Sequence, residues 1–206
     1  MARQGPAPTV PNVPSVRKRT GTLPQVTFES VATHPSQRWW ILAAASLGAF
    51  VAAMMATAVN VALPSLARTF DVPFAAVQWV VLGYLVMTAS LLPIVGRLAD
   101  MFGKRTIFLV GFAIYALGSL ATGLAPNLGS LIAFRPIHGA GSSILTGLGL
   151  AIVTDVFPPE ERGRAIGVTG SLLSIGIVLG PTLGGLLVQY SWRLVFLFGL
   201  PLALVG

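Results

Sequence analysis

Arg135 and His138 are the residues of this chain whose types and spacing most strongly suggest chemistry. They lie three positions apart, on one face of a helix, within the apolar run 128–156. A charge inside a membrane is costly, so we expect Arg135 to face a wet cavity or a polar partner and to be functional. The alternatives are that Arg135 extends to the nearby membrane surface and that His138 is a hydrogen-bonding packing residue.

Other residue patterns of soluble enzymes are absent from the sequence. There is no cysteine, and the only two histidines, His34 and His138, are far apart. Zinc-binding HExxH, phosphate-binding GxxxxGK[ST] and nucleophile-bearing GxSxG patterns do not occur. We therefore expect no catalytic residues, no metal site and no cofactor.

A row of small residues marks the run 165–190. Gly176, Gly180 and Gly184 recur at four-residue intervals, Gly185 follows, and Pro181 lies within the row. Such a face lets another backbone approach closely, and the proline frees a carbonyl. The spacing alone favours dense packing without a role in transport.

The segment GRLADMFGKRTIF carries charges between two apolar runs. We expect a short loop in which Asp100 accepts hydrogen bonds at a helix N-terminus. Taken alone, a loop of this kind is usually solvated and only sets topology.

These residues lie in a strongly apolar chain. Of the 206 residues, 54% are hydrophobic and 9% charged, and the mean hydropathy is +0.82, which excludes an ordinary water-soluble fold. Apolar runs of about 20 residues match the length of a membrane-crossing helix. We predict an all-α polytopic bundle with spans at 39–63 (ended by Pro64), 74–95, 106–125, 128–156, 165–190 and 194–206, the last incomplete.

The charges indicate the orientation of these spans. Ten of the 13 basic residues flank one set of span ends, and only Arg68 and Arg193 flank the other set. The positive-inside rule then places the N-terminus in the cytoplasm. The net charge of +7 reports topology, so we expect no nucleic-acid partner. For the location of the multi-pass chain we predict the bacterial inner membrane.

The two ends of the chain carry separate expectations. Residues 1–38 hold six prolines and the basic cluster Arg17, Lys18 and Arg19, which predicts a disordered cytoplasmic tail. The last apolar run has 13 residues, too few to cross a bilayer, so we expect a truncated chain whose C-terminal helical half is missing.

Three motifs resemble those of the major facilitator superfamily. The segment between the second and third runs is similar to its GxLADrxGrk loop signature, RPIHGAG to its fourth-helix RxxQGxG pattern, and GIVLGPTLGG to its fifth-helix antiporter pattern. The matching residues are Gly96, Leu98, Ala99, Asp100, Gly103, Lys104 and Arg105; Arg135, Gly139 and Gly141; and Gly176, Gly180, Pro181, Gly184 and Gly185.

Further segments resemble the 14-helix drug:proton antiporter group of that superfamily. They are NVALPSL (Asn60, Ala62, Leu63, Pro64), VQWVVLGYL (Gln78, Trp79, Tyr84) and SWRLVF (Trp192, Arg193, Phe196). The resemblance implies an N-terminal six-helix half of a transporter that works by alternating access. It also implies that Asp100 latches two halves, that Arg135 takes part in proton coupling, and that the Gly180 and Pro181 bend seals the fifth helix against the other bundle. The six helices alone should then expose a glycine-rich face.

Three positions depart from the family pattern. Met55 occupies a position that is usually acidic, His138 replaces a glutamine, and Met101 replaces an arginine. No acidic residue lies at the middle of a predicted span. Coupling must then use His138, whose ordinary pKa near 6.5 suits proton transfer, or a group in the missing half, or must not occur.

We therefore predict secondary active export of drugs or other lipophilic or amphipathic small molecules, driven by a proton gradient. The cavity would be mainly apolar, with Asn60, Gln78, Tyr84, Arg135 and His138 as its polar groups. The alternatives are a superfamily importer of a polar solute and a truncated membrane fragment that does not transport.

Overall fold

The computed structural model describes residues 35–205, and every element in that range is a helix. In chain order the helices are α1 (Pro35–Phe70), α2 (Phe74–Phe102), α3 (Lys104–Gly123), α4 (Leu128–Val156), α5 (Pro159–Tyr190), α6 (Trp192–Leu197) and α7 (Gly199–Val205). Five of them are long and apolar enough to cross a membrane. The chain is an all-α, multi-pass membrane protein, as predicted.

Helix α1 is longer than predicted at both ends. It passes through Pro64 and ends at Phe70, so the prediction that Pro64 ends it is wrong. Leu66, beyond the proline, is fully buried, and the Phe70 ring lies 5.5 Å from the Trp192 ring; this packing outweighs one lost backbone hydrogen bond.

At its other end, α1 starts at Pro35, inside the segment predicted to be a disordered tail. Proline is tolerated in the first turn, where its missing N–H would have no partner, and Arg38 pairs with Glu161 of α5 at 3.9 Å. The rest of the predicted tail, residues 1–34, lies outside the described residues.

The predicted loop between the second and third spans is reduced to Gly103. Its φ of +88° is a conformation that side chains other than glycine rarely adopt, and it turns α2 directly into α3. Asp100 therefore lies in the last turn of α2, exposed, and not at a helix N-terminus. The predicted capping role is wrong, and among the described residues its side chain accepts no hydrogen bond.

The helices after α4 also differ from expectation. Helix α5 begins at Pro159, six residues before the predicted start, with Glu160 and Glu161 in the first turn, where carboxylates are favoured. The final apolar run is split into α6 and α7. Pro201 cannot donate to the carbonyl of Leu197, the last residue of α6.

Helix α4 lies at the centre of the bundle. It packs against α2 on one side and α3 on the other and also contacts α1, while α1 packs mainly against α5. The short helices α6 and α7 cover α3. A larger apolar core surrounds Tyr115 and Leu145, and a second core surrounds Leu66 and Phe196.

The glycine row of α5 forms the contact with α1. A Cβ at Gly176 would lie 2.6 Å from the carbonyl oxygen of Phe50, and a Cβ at Gly184 would lie 2.7 Å from that of Ala58. Gly180 faces the same helix between them. These three glycines therefore pack the bundle internally, in agreement with the dense packing that their spacing alone favours, and they do not form the exposed glycine-rich face predicted for the six helices. Pro181 lies on the exposed side of α5.

Replacing Gly184 with alanine should destabilise the bundle, because the added Cβ meets the Ala58 backbone at 2.7–3.2 Å. Overpacking of this kind costs about 1–3 kcal/mol. The measurement is the thermal unfolding midpoint of the native gene product in detergent. Gly163→Ala is the matched control, since a Cβ there meets nothing within 4 Å and should leave the midpoint unchanged or raise it. Equal losses in both variants would contradict the tight contact between α1 and α5.

Candidate functional site

Arg135 is buried in the protein interior, with 1% of its surface exposed. Its Nε donates a 2.7 Å hydrogen bond to the carbonyl oxygen of Val80 on α2. The guanidinium lies 4.5 Å from the ring centre of Tyr84 and 5.5 Å from that of Phe196. We expected Arg135 to face a wet cavity, to meet a polar partner or to extend to the membrane surface. The structure supports the polar partner, because the side chain neither reaches the bundle surface nor lines an open cavity.

His138 is the second partner of this arginine. Its Nδ1 lies 3.1 Å from an Arg135 terminal nitrogen, and since a guanidinium can only donate, Nδ1 accepts. The proton of the neutral ring is then on Nε2, which is buried and has no hydrogen-bond acceptor among the described residues. The ring centre lies 4.4 Å from that of Tyr115.

Hydroxyl groups complete this buried polar cluster, which we define as Tyr84, Tyr115, Arg135, His138 and Ser142. The hydroxyl oxygens of Tyr84 and Ser142 are 2.6 Å apart. The Tyr115 hydroxyl donates to the carbonyl of Val51 at 3.4 Å. The cluster thus ties α4 to α2 and links the Tyr115 side chain of α3 to the backbone of α1.

Two glycines allow the helices to come this close. A Cβ at Gly118 of α3 would lie 2.5 Å from the Cα of His138, and Gly141 of α4 faces the backbone of Tyr115. The small residues therefore bring α3 against the face of α4 that carries His138, which keeps the imidazole between two helices.

Asn60 and Gln78 lie elsewhere, in a groove between α1 and α2 of about 320 Å³. We call it the α1/α2 groove; its lining residues are Asn60, Leu63, Gln78, Val81 and Leu82. Tyr84, Arg135 and His138 do not line it. The five polar groups that sequence reasoning placed in one cavity are thus divided between an open groove and a buried cluster.

The residues expected to form a latch lie at the opposite end of α4 from its N-terminus. Lys104 Nζ is 2.5 Å from an Asp155 carboxylate oxygen, which joins the start of α3 to the end of α4. Gly96, Asp100 and Arg105 are exposed. Sequence reasoning missed Asp155, although antiparallel α3 and α4 necessarily bring their two ends together.

Arg193, in the SWRLVF segment, binds the C-terminal end of α3, which the resemblance of that segment did not reveal. One of its terminal nitrogens donates to the carbonyls of Gly123 at 3.0 Å and Ala125 at 2.9 Å, where α3 ends. These carbonyls lack helical partners, so the arginine caps α3 from α6. Met55, at the position expected to be acidic, is fully buried in the larger apolar core.

Known proteins resemble this chain along most of its length. Residues 45–206 match the sequence profile of the Major Facilitator Superfamily. The multidrug resistance protein Stp of Mycobacterium tuberculosis is 42% identical over 78% of this chain and 30% of its own length. The riboflavin transporter RibZ of Clostridioides difficile is 32% identical over 82% of this chain and 38% of its own.

A third relative and a solved structure also resemble this chain. The puromycin resistance protein pur8 of Streptomyces alboniger is 37% identical over 82% of this chain and 34% of its own length. The chain thus spans about a third of these relatives. The inward-facing crystal structure of a bacterial homologue of the human lysosomal transporter Spinster superposes with a TM-score of 0.72 at 22% identity, over 84% of this chain and 43% of that protein. The fold, the motifs and these relatives together establish that the chain belongs to the major facilitator superfamily.

Proposed function

We propose that the chain is the N-terminal part of a proton-driven exporter of amphipathic small molecules. The observation that carries the proposal is the α1/α2 groove, which combines three apolar side chains with the amides of Asn60 and Gln78. A mostly apolar pocket with few polar groups suits solutes that are lipophilic and carry one or two hydrogen-bonding groups. The similarity to Stp and pur8, both named for resistance, supports export of such compounds.

His138 is our candidate for the proton-carrying group. A protonated imidazole has no acceptor, so protonation of His138 is incompatible with the hydrogen bond that Nδ1 accepts from Arg135. Arg135 also holds the Val80 carbonyl of α2. Because the same guanidinium bonds to His138 within α4 and to Val80 on α2, loss of its bond to His138 would free it to reorient against α2, which is the kind of linkage a coupled transporter requires.

A second candidate function is transport of a larger polar solute. RibZ, named as a riboflavin transporter, favours it. The exposed amide of Gln78 and the side chain of Asn60 could bind such a solute, but the aliphatic lining of the groove favours the amphipathic class. Uptake of labelled riboflavin and of a lipophilic cationic dye into vesicles separates the two, because only the solute of the correct class should be taken up.

The orientation in the bacterial inner membrane can be tested directly, because the chain has no cysteine. Met101 and Leu124 lie at opposite ends of α3 and are 71% and 61% exposed. With the N-terminus cytoplasmic, a membrane-impermeant thiol reagent applied outside should label Leu124→Cys in intact cells, and should label Met101→Cys only after lysis. The reverse pattern would contradict the proposed topology.

Replacing Arg135 with alanine should reduce export about tenfold or more while leaving membrane insertion intact. The variant leaves His138 Nδ1 without its donor and removes the side-chain hydrogen bond that the Val80 carbonyl accepts from α4. Dye efflux from cells that express the native gene product is the measurement. Arg68→Ala is the matched control, since Arg68 is exposed and bonds only to Pro64 of its own helix at 3.4 Å. Normal efflux by Arg135→Ala would rule out the role proposed for this arginine.

Replacing His138 with glutamine should uncouple export from the proton gradient. A glutamine side chain still accepts a hydrogen bond from Arg135 but does not take up a proton. In vesicles, the variant should retain exchange of dye for dye and lose its stimulation by an imposed pH gradient. Undiminished stimulation would place the proton-carrying group elsewhere.

A further inference from the structure

Helix-interior prolines leave backbone carbonyls without a partner in this bundle. A proline cannot donate to the carbonyl four residues earlier, and inside a membrane no water replaces the missing hydrogen bond. The prolines within the long helices are Pro64, Pro93, Pro136 and Pro181, and the carbonyls they free belong to Asn60, Ala89, Ile132 and Ile177.

One of these carbonyls accepts a hydrogen bond from a neighbouring helix. Thr57 Oγ1 of α1 lies 3.3 Å from the carbonyl oxygen of Ile177 on α5. The other three freed carbonyls accept no side-chain hydrogen bond within residues 37–203. Among the four carbonyls freed by prolines in these long helices, the one freed by Pro181 thus differs from the others, because Thr57 donates to it. We call the missing backbone hydrogen bond at this position the Pro181 break.

The geometry around Thr57 depends on the neighbouring glycine. Gly180 faces α1, and a Cβ there would collide with Thr57 Oγ1. The adjacent pair thus acts jointly: Pro181 frees the carbonyl, and Gly180 leaves room for the hydroxyl to approach it.

Thr57 has acceptors on both helices. Its Oγ1 lies 3.0 Å from the carbonyl oxygen of Met54 and 3.2 Å from that of Ala53, both in α1. A hydroxyl has a single hydrogen, so these two carbonyls compete with Ile177 for it. The three distances differ by only 0.3 Å, so a small shift of α5 along α1 is enough to transfer the hydrogen bond from one helix to the other.

We propose that Thr57 is a positioning residue that fastens α5 to α1 at the Pro181 break and releases it by returning its hydroxyl to α1. The fastening is a property of the bundle. Its effect on transport rests on the proposed function, because it assumes that α5 moves against α1 during the transport cycle.

A double-mutant cycle tests the fastening without reference to transport. Thr57→Val keeps the side-chain shape and removes the donor, and should lower the thermal midpoint of the native gene product in detergent by about 2–4 °C. Thr57→Ser should restore the midpoint. Pro181→Ala returns a backbone N–H to the Ile177 carbonyl, so adding Thr57→Val to it should change the midpoint by less than about 1 °C.

Thr88→Val is the matched control for this cycle. The Thr88 hydroxyl also bonds to its own helix, at the Tyr84 carbonyl 2.9 Å away, and to a neighbouring helix, at the Gly139 carbonyl 3.2 Å away. The residue four positions after Gly139 is Ser143, which has a backbone N–H, so the Gly139 carbonyl is not freed by a proline. Pro181→Ala should therefore not suppress the effect of Thr88→Val. Additive losses for Thr57→Val and Pro181→Ala would overturn the proposal.

Transport measurements form the second arm of the test. Thr57→Val should lower the maximal rate of dye efflux with little change in KM, Thr57→Ser should restore the rate, and Thr57→Val combined with Pro181→Ala should match Pro181→Ala alone. A rate equal to that of the native protein would overturn the role in movement. If no dye is transported by any variant, the proposed function fails, while the thermal cycle still decides whether Thr57 fastens the break.

Discussion

Inside a lipid bilayer no water satisfies polar groups, so each buried donor, acceptor and charge of this protein needs a partner from the protein itself. Most buried polar side chains of the described residues follow this constraint, and His138 Nε2 and Ser143 Oγ are the two buried side-chain atoms among them without a hydrogen-bond partner. Arg135 donates to a backbone carbonyl and to an imidazole, and Arg193 caps the carbonyls at the end of α3. Thr57 supplies the hydrogen that Pro181 cannot give. Except for His138, which shares α4 with Arg135, each partner belongs to another helix or to its end, so satisfying the polar group also joins two helices.

Helix α4 concentrates these connections. Its buried face carries Arg135, His138 and Ser142, which contact α2, while Gly141 brings α3 close. The pair of Lys104 and Asp155 joins α3 to the far end of α4. Contacts with α2, α3 and α1 thus meet along a single helix.

The departures from the family pattern alter the chemistry of this centre. Met55 places a thioether in the apolar core at a position that is usually acidic, and His138 places an ionisable ring beside the buried arginine where a glutamine is usual. A glutamine can only exchange hydrogen-bond partners, whereas an imidazole can also exchange a proton. Position 55 on α1 thus carries no ionisable group, and an imidazole lies on α4 next to the guanidinium.

The long apolar runs determined the membrane class and the five long spans, because the cost of burying charge in lipid shows directly in the sequence, and the motifs indicated the family through their resemblance. The ends of α4, at Leu128 and Val156, followed from the same signal. Only tertiary structure decided that α1 continues past Pro64, that Gly176, Gly180 and Gly184 face α1, and that Asn60 and Gln78 are separated from Arg135. Hydropathy tells which residues avoid water, but the direction in which a helix face points depends on contacts between helices distant in the chain.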